Sequence, residues 1–358
     1  MLRFLTAFLC AFLTVSALLA VEIPDWAKDE IAKTQKRIDA WKGDDLCVIF
    51  PYMTDIHSRS VTIADPIDWS DSKMHIYIGQ QAARQMKVDF FADLGDMEVE
   101  MVPKNPEEVE MMLASKQTIY RDFEFPALFS MGNHDHGKNR IVSSDRFGEM
   151  FNGMTAAKGF KLVFGESQSW GFYDLPEKKT RVFFTNTSDD GYYGLSVSQL
   201  QFIADHLADL EEGWTAVIMQ HFCVQVVIGH WTSWPNCHAK NEDVFIKMCE
   251  DFVANRSGEM NGVKWDFTAN KDTRLAGCFY GDSHFDHHLL SNGVHYSISQ
   301  GYGGVNPKEL PDDQAVHTNF NRASECLVDV VVIKPEKREV KIFRVGAGGE
   351  ARDREYTY

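Results

Sequence analysis

Residues 279–288, FYGDSHFDHH, place five side chains able to hold a metal ion, Asp282, His284, Asp286, His287 and His288, directly after an apolar run. Other short polar clusters end apolar runs in the same way: Asp55-Ile56-His57 after LCVIFPYM, Gly95-Asp96 after VDFFADL, Gly132-Asn133-His134-Asp135 after FPALFSM, and Gln220-His221 after TAVIM. Each cluster alone has an ordinary explanation, because Gly-Asp is a common turn dipeptide and an Asx side chain readily closes a turn. His221 alone would be a core or rim histidine. Gly132-Asn133-His134-Asp135 is more demanding, since polar side chains at the end of an apolar strand must satisfy one another or open into a crevice. Imidazole, carboxylate and amide oxygen without thiolate suit manganese, iron or zinc in expanded coordination, whereas a structural zinc would favour cysteines, and no Cys-x-x-Cys occurs.

Regular elements must hold these clusters. The apolar runs are compact and β-rich, so each reads as a buried strand. Helical patterns separate them: HIYIGQQAARQMKV, PEEVEMMLASKQTIYRDF, SVSQLQFIADHLADLEEG and NEDVFIKMCEDFVANR. Strands alternating with helices predict an α/β sheet of parallel strands whose ligands gather at the carboxyl ends. Two hairpins are predicted, WGFYDL-PEKK-TRVFFTNT and CLVDVVVI-KPEKRE-VKIFRV, each with a charged turn containing Pro. An amphipathic helix is predicted over residues 21–43, with Pro24 at its start and Gly43 at its end. No low-complexity tract or linker divides the rest of the chain, so residues 44–358 read as one domain.

The order Asp-x-His, Gly-Asp, Gly-Asn-His-Asp, His, Gly-x-x-His at successive strand ends resembles the calcineurin-like metallophosphoesterases, a superfamily with a dinuclear metal centre. The resemblance runs from about Cys47 to His288, and Gly-Asn-His-Asp is its most specific part. It implies a four-layer α/β/β/α sandwich with two mixed sheets and an enzyme that hydrolyses phosphomono- or diesters. It also implies Asp55, His57 and His284 at a first metal, Asp96 bridging both metals, and Asn133 and His221 at the second. His134 would be the histidine that is not a ligand and that protonates the leaving oxygen or stabilises phosphate charge, with Asp135 orienting its ring. Phosphate-ester chemistry needs the same parts: two divalent or trivalent ions (Mn, Fe or Zn) about 4 Å apart would neutralise phosphoryl oxygens and activate a bridging water or hydroxide as nucleophile.

The chain departs from the family pattern at Asp282, where the family has a second histidine. A carboxylate there could serve as an oxygen ligand, hardening the site and altering its metal preference, or it could mark a non-catalytic or weakly active binding protein on the same fold. Val99, flanked by Glu98 and Glu100, stands where an acidic or Asn residue is usual. Asp286 is expected behind the ligands, and His287 and His288 at the surface or rim. His136 is expected either to touch substrate or to be a solvated loop residue. Trp231, Trp234, His230, His238 and Tyr302 lie on loops that could stack on a leaving group or simply close the rim.

The formal charge of −16 (36 basic against 52 acidic residues) disfavours nucleic-acid polymers and anionic membranes as partners, and leaves a small phosphorylated substrate as the expected one. Residues 1–20, MLRFLTAFLCAFLTVSALLA, read as a cleaved signal peptide and not as a membrane anchor, because the apolar stretch is short and lacks a charged stop. That places the protein outside the cytoplasm, periplasmic or extracellular, with no stable membrane anchor. The remaining cysteines are even in number; Cys47 and Cys278 read as buried small hydrophobes, and a bridge involving Cys223, Cys237 or Cys249 is open without a derivable pairing.

Overall fold

In strand β1 (Val48–Met53) every residue is buried; Val48, Phe50 and Tyr52 enter one apolar cluster, and Ile49 and Met53 enter another. A strand apolar on both faces must lie between two layers. The computed structural model, which describes residues 21–57, 73–97, 106–137, 140–191, 193–224, 239–270, 272–299, 301 and 326–358, shows those layers. Residues 1–20, and with them the expected signal peptide, lie outside the described residues, as do Glu98, Val99, Glu100, His230, Trp231, Trp234, Cys237, His238 and Tyr302.

Strand β1 sits inside a six-stranded sheet with β2 (Phe91–Asp93) and β3 (Ala127–Phe129) on one side, both parallel to it. On its other side β13 (Leu327–Lys334), β14 (Glu339–Gly346) and β15 (Arg354–Thr357) run antiparallel in turn. The second sheet has seven strands. Its middle is parallel: β6 (Thr180–Phe184), β7 (Thr215–Met219), β10 (Arg274–Tyr280) and β12 (Val294–Ile298). Its edges are antiparallel: β11 (His287–Ser291) beyond β12, then β5 (Gly171–Leu175) and β4 (Leu162–Phe164) beyond β6. The two sheets are mixed as expected: the parallel strands follow from strand–helix alternation, and both predicted hairpins form and attach antiparallel strands. A short hairpin, β8 (Ser257–Met260) with β9 (Val263–Asp266), stands apart.

The layers follow from the side-chain alternation of the strands. Val182, Val217, Phe279 and Val331 join Phe50 and Tyr52 in an apolar core drawn from both sheets. Phe50 stacks on Phe90 at 4.5 Å and meets Phe279 edge-on at 5.7 Å. The outer face of the six-stranded sheet shares a core with α1 (Asp25–Lys42), α2 (Lys73–Met86), α3 (Pro106–Arg121), α4 (Ser144–Met150) and α5 (Asn152–Ala157). The outer face of the other sheet packs on α6 (Val197–Ala208) and α7 (Glu242–Val253). The result is the expected four-layer α/β/β/α sandwich. The helix predicted over residues 21–43 is α1, which places Ile31 and Ile38 in the outer core. Cys47 and Cys278 are buried thiols as expected, and so are Cys223, Cys249 and Cys326.

One buried polar network ties the two sheets together. Arg344 of β14 is fully buried and donates to Asp329 Oδ1 on β13 at 2.7 Å and to Asp286 Oδ1 at 2.7 Å, just before β11. Arg354 adds a 2.6 Å bond to Asp329 Oδ2. Burial opposes the Arg344 charge, but Asp286 and Asp329 outweigh it and raise its pKa. Removing the guanidinium would take the 2.7 Å partner from each of two buried carboxylates, with Arg354 still 2.6 Å from Asp329 Oδ2 and 3.7 Å from Asp286 Oδ1, so Arg344→Met is expected to cost about 3 kcal/mol in urea unfolding. A loss below about 1 kcal/mol would show that the network is dispensable.

Candidate metal centre

The parallel strands β1, β2, β3, β7 and β10 end at one edge of the sandwich, and the polar clusters follow them there. Asp55, His57, Asp96, Asp282 and His284 all have a left-handed backbone, with φ of 53°, 46°, 54°, 64° and 55°. For residues other than Gly that conformation is sparsely populated and is held only by its surroundings. Here backbone bonds hold it: Asp55 N and His57 N donate to Gly95 O and Asp96 O at 2.9 and 3.0 Å. Gly132 is required because a Cβ there would stand 2.1 Å from Asp96 Oδ1.

The structure gathers every predicted ligand around two adjacent positions. At the first, His57 Nε2 and His284 Nε2 face each other at 3.1 Å, and Asp55 Oδ1 lies 3.7 and 3.2 Å from them. At the second, His221 Nε2 lies 3.2 Å from Asn133 Oδ1, 3.4 Å from Asp96 Oδ1 and 3.6 Å from Asp282 Oδ1. Asp96 spans both, since its Oδ2 lies 3.8 Å from His57 Nε2. His221 Nδ1 donates to Leu94 O at 2.7 Å, which leaves Nε2 to face the site.

These donors fit cations. Asp55 Oδ1 is buried and accepts no hydrogen bond, while its Oδ2 takes Thr54 Oγ1 at 2.6 Å and Asp282 N at 2.8 Å. Asp55, Asp96 and His221 form one group with ligand atoms mutually within 4.8 Å; Asp55, His57 and His284 form another, as do His57, Asp96 and His134. Burial pushes the Asp282 carboxyl up to about 7 and the His57 ring down to about 4. At Asp96 burial is outweighed by the His221 and His134 imidazoles, which hold the carboxyl well below the usual range. Burial likewise opposes charge on His221, and Asp96 overrides it. The imidazoles thus offset part of the carboxylate charge, a task bound cations would share.

Two expectations are corrected. Asp135 does not orient the His134 ring: its Oδ2 accepts from Asp96 N and Gly132 N, both at 2.9 Å, and its Oδ1 from Met97 N at 2.8 Å, while His134 Nδ1 has no hydrogen-bond partner. Three convergent N–H groups capture the carboxylate, and it locks the loops after β2 and β3 together. His136 is not a loop residue in solvent; it is fully buried, its Nδ1 donating to Val142 O at 2.8 Å. His134 is placed by its backbone N, which donates to Asp96 Oδ1 at 2.8 Å, and by edge contact with His57 at 4.9 Å. Asp286 stands behind the ligands as expected, bonded to Arg344. His288 is half-buried at the edge of the sheet and stacks on Tyr356 at 4.6 Å.

Sequence reading missed the supporting residues Thr54 and Asp93. Asp93 accepts from Gly95 N at 3.0 Å and from the Tyr120 hydroxyl, and burial raises its carboxyl to about 7. An acid inside an apolar strand end, FFADLGD, was the available signal.

A search of solved structures finds a dimetal phosphatase from Danio rerio with a TM-score of 0.51 at 11% identity, over 88% of this chain and 100% of that one. A purple acid phosphatase from yellow lupin (Lupinus luteus) seeds matches 88% of this chain and 53% of its own length, at 11% identity and a TM-score of 0.49. At 11% identity the likeness to the Danio rerio phosphatase is one of fold. Among curated proteins no sequence match is found. A family model does match by sequence, over residues 52–286, a span that runs from β1 through the last of the converging clusters. The chain therefore belongs to the calcineurin-like phosphoesterases, a family of phosphate-ester hydrolases.

Proposed function

We propose that the protein is an exported phosphoesterase that depends on two metal ions and acts on a small phosphorylated substrate, a phosphomono- or diester. The observation that carries this reading is the convergence of Asp55, His57, Asp96, Asn133, His221, Asp282 and His284 on two adjacent positions spanned by Asp96. Ions of manganese, iron or zinc bound there would neutralise phosphoryl oxygens and activate water. His57, His284 and Asp55 would hold the first ion; His221, Asn133 and Asp282 the second; Asp96 both.

His134 is the group left for proton transfer. Its side chain is 21% exposed, its ring carries an unbonded Nδ1, and its Nε2 lies 3.8 Å from Asp96 Oδ2. It can hold a proton at the mouth of the site and deliver it to a leaving oxygen. Asp135 acts indirectly, by fixing the amides of Gly132, Asp96 and Met97 and so the carboxylate of Asp96. The acidic surface supports a small substrate over a nucleic-acid polymer, and among the described residues no helix is long and apolar enough to cross a membrane.

The test is hydrolysis of a panel of mono- and diesters alongside metal content. Asp96→Asn is expected to lose both turnover and bound metal; intact turnover sinks the proposal, and a wild-type chain with neither metal nor activity favours a binding protein. His134→Ala should lower kcat by about 10²–10⁴-fold while retaining metal, because a proton donor contributes that much. Chelation should destabilise the fold by about 2.7 kcal/mol for each ion removed, relative to metal at 100 times its Kd, read as a drop in melting temperature. Export is checked by N-terminal sequencing of the natural protein: a start near residue 21 is expected, and a retained Met1 refutes cleavage.

A further inference from the structure

The two positions differ in donor chemistry. The first is faced by two imidazole nitrogens, His57 Nε2 and His284 Nε2, and by single oxygens of Asp55 and Asp96. Asp55 can offer only one oxygen, because Thr54 Oγ1 and Asp282 N occupy the other. The second is faced by one nitrogen, His221 Nε2, and by three oxygens from Asn133, Asp96 and Asp282. The buried Cys223 does not alter that balance, because its Sγ donates to Gly281 O at 3.0 Å and accepts from Ser283 Oγ at 3.2 Å. Asp282 is also the more open of the pair, its side chain 20% exposed against 0% for His221.

Nitrogen donors favour the later, softer divalent ions, and oxygen donors favour harder ones such as manganese and magnesium. We infer that Asp282 makes this a chemically unequal centre, in which the first position takes zinc or iron and the second discriminates for a hard, oxygen-seeking ion such as manganese. The inference rests on the two-metal reading above and adds the selectivity of each position. Asp282 is the residue that sets it, and the hydrogen bond that its backbone N–H donates to Asp55 Oδ2 couples its placement to the first position.

Metal-free wild-type chain, Asp282→His and Asp282→Asn are each loaded with mixtures of manganese and zinc chloride, and bound metal is counted by mass spectrometry, with the manganese electron-spin signal as a second readout. Replacing the carboxylate by imidazole should lower the manganese-to-zinc ratio of the second ion by roughly tenfold or more, and leave that of the first unchanged. Equal ratios in wild type and Asp282→His, or a change confined to the first ion, overturn the inference. Should Asp282→His fail to fold, Asp282→Asn decides: it keeps an oxygen but loses the charge, so manganese affinity at the second position should fall about tenfold with the first unaffected, and unchanged affinity overturns the inference. A chain that shows the asymmetry but hydrolyses no ester upholds the inference and sinks the proposed function. A chain that hydrolyses esters with equal ratios does the reverse.

Discussion

Among the described residues, the negative charge buried at this site meets no lysine or arginine. Asp55 and Asp96 are fully or almost fully buried, Asp282 stands beside them, and the ion pairs the structure shows for these three are with imidazoles alone. Buried carboxylates at such separations repel one another and lose their hydration. An arrangement of this kind is tolerable only with counterions, and everything around the site keeps the carboxylates from relaxing apart. Asp55, His57, Asp96, Asp282 and His284, which follow the ends of β1, β2 and β10, all have left-handed backbone. Elsewhere such φ values occupy turn residues such as Asn241 and Asn261; here they concentrate where the charge does.

A second set of acids holds the first in place. Asp135 gathers three backbone amides, Asp93 takes Gly95 N and the Tyr120 hydroxyl, and Asp286 meets Arg344. Each sits one layer behind a charged group and has a partner that fixes its direction. The carboxylates facing the site have their remaining oxygens aimed into the same small space. The same residue type thus does two jobs, separated by what donates to it.

Much of this was legible in the sequence. The strands are apolar runs buried on both faces and the longer helices have clear periodicity, so both were read, as were the candidate ligands that directly follow the strands. What escaped depends on contacts between residues far apart in sequence or on backbone groups. Asp135 follows His134 directly, yet its partners include the amides of Asp96 and Met97, nearly forty positions earlier. His136 read either as a substrate contact or as a solvated loop residue because its local sequence is polar, whereas its buried ring bonds to Val142 O, six positions on. The antiparallel edges were half-seen: hairpins were predicted, but which sheet each would join is set by pairing, such as Val48 with Ile333, that no local pattern carries. Strands β4, β8, β9 and β15 are short and half-exposed, with little pattern to find.

That pairing of Val48 with Ile333 has a consequence for how the protein is made. The first strand of the sandwich is flanked on one side by β2, available early in synthesis, and on the other by β13, which emerges after nearly the whole chain. Non-local pairing of this kind folds slowly, because the loop must close before contacts reward it. Until β13 and β14 arrive, β1 is an open edge of buried apolar residues, and Asp286 lacks the arginine that anchors the loop carrying Asp282 and His284. Synthesis thus delivers the parallel strands before the C-terminal hairpin that completes the sheet around β1.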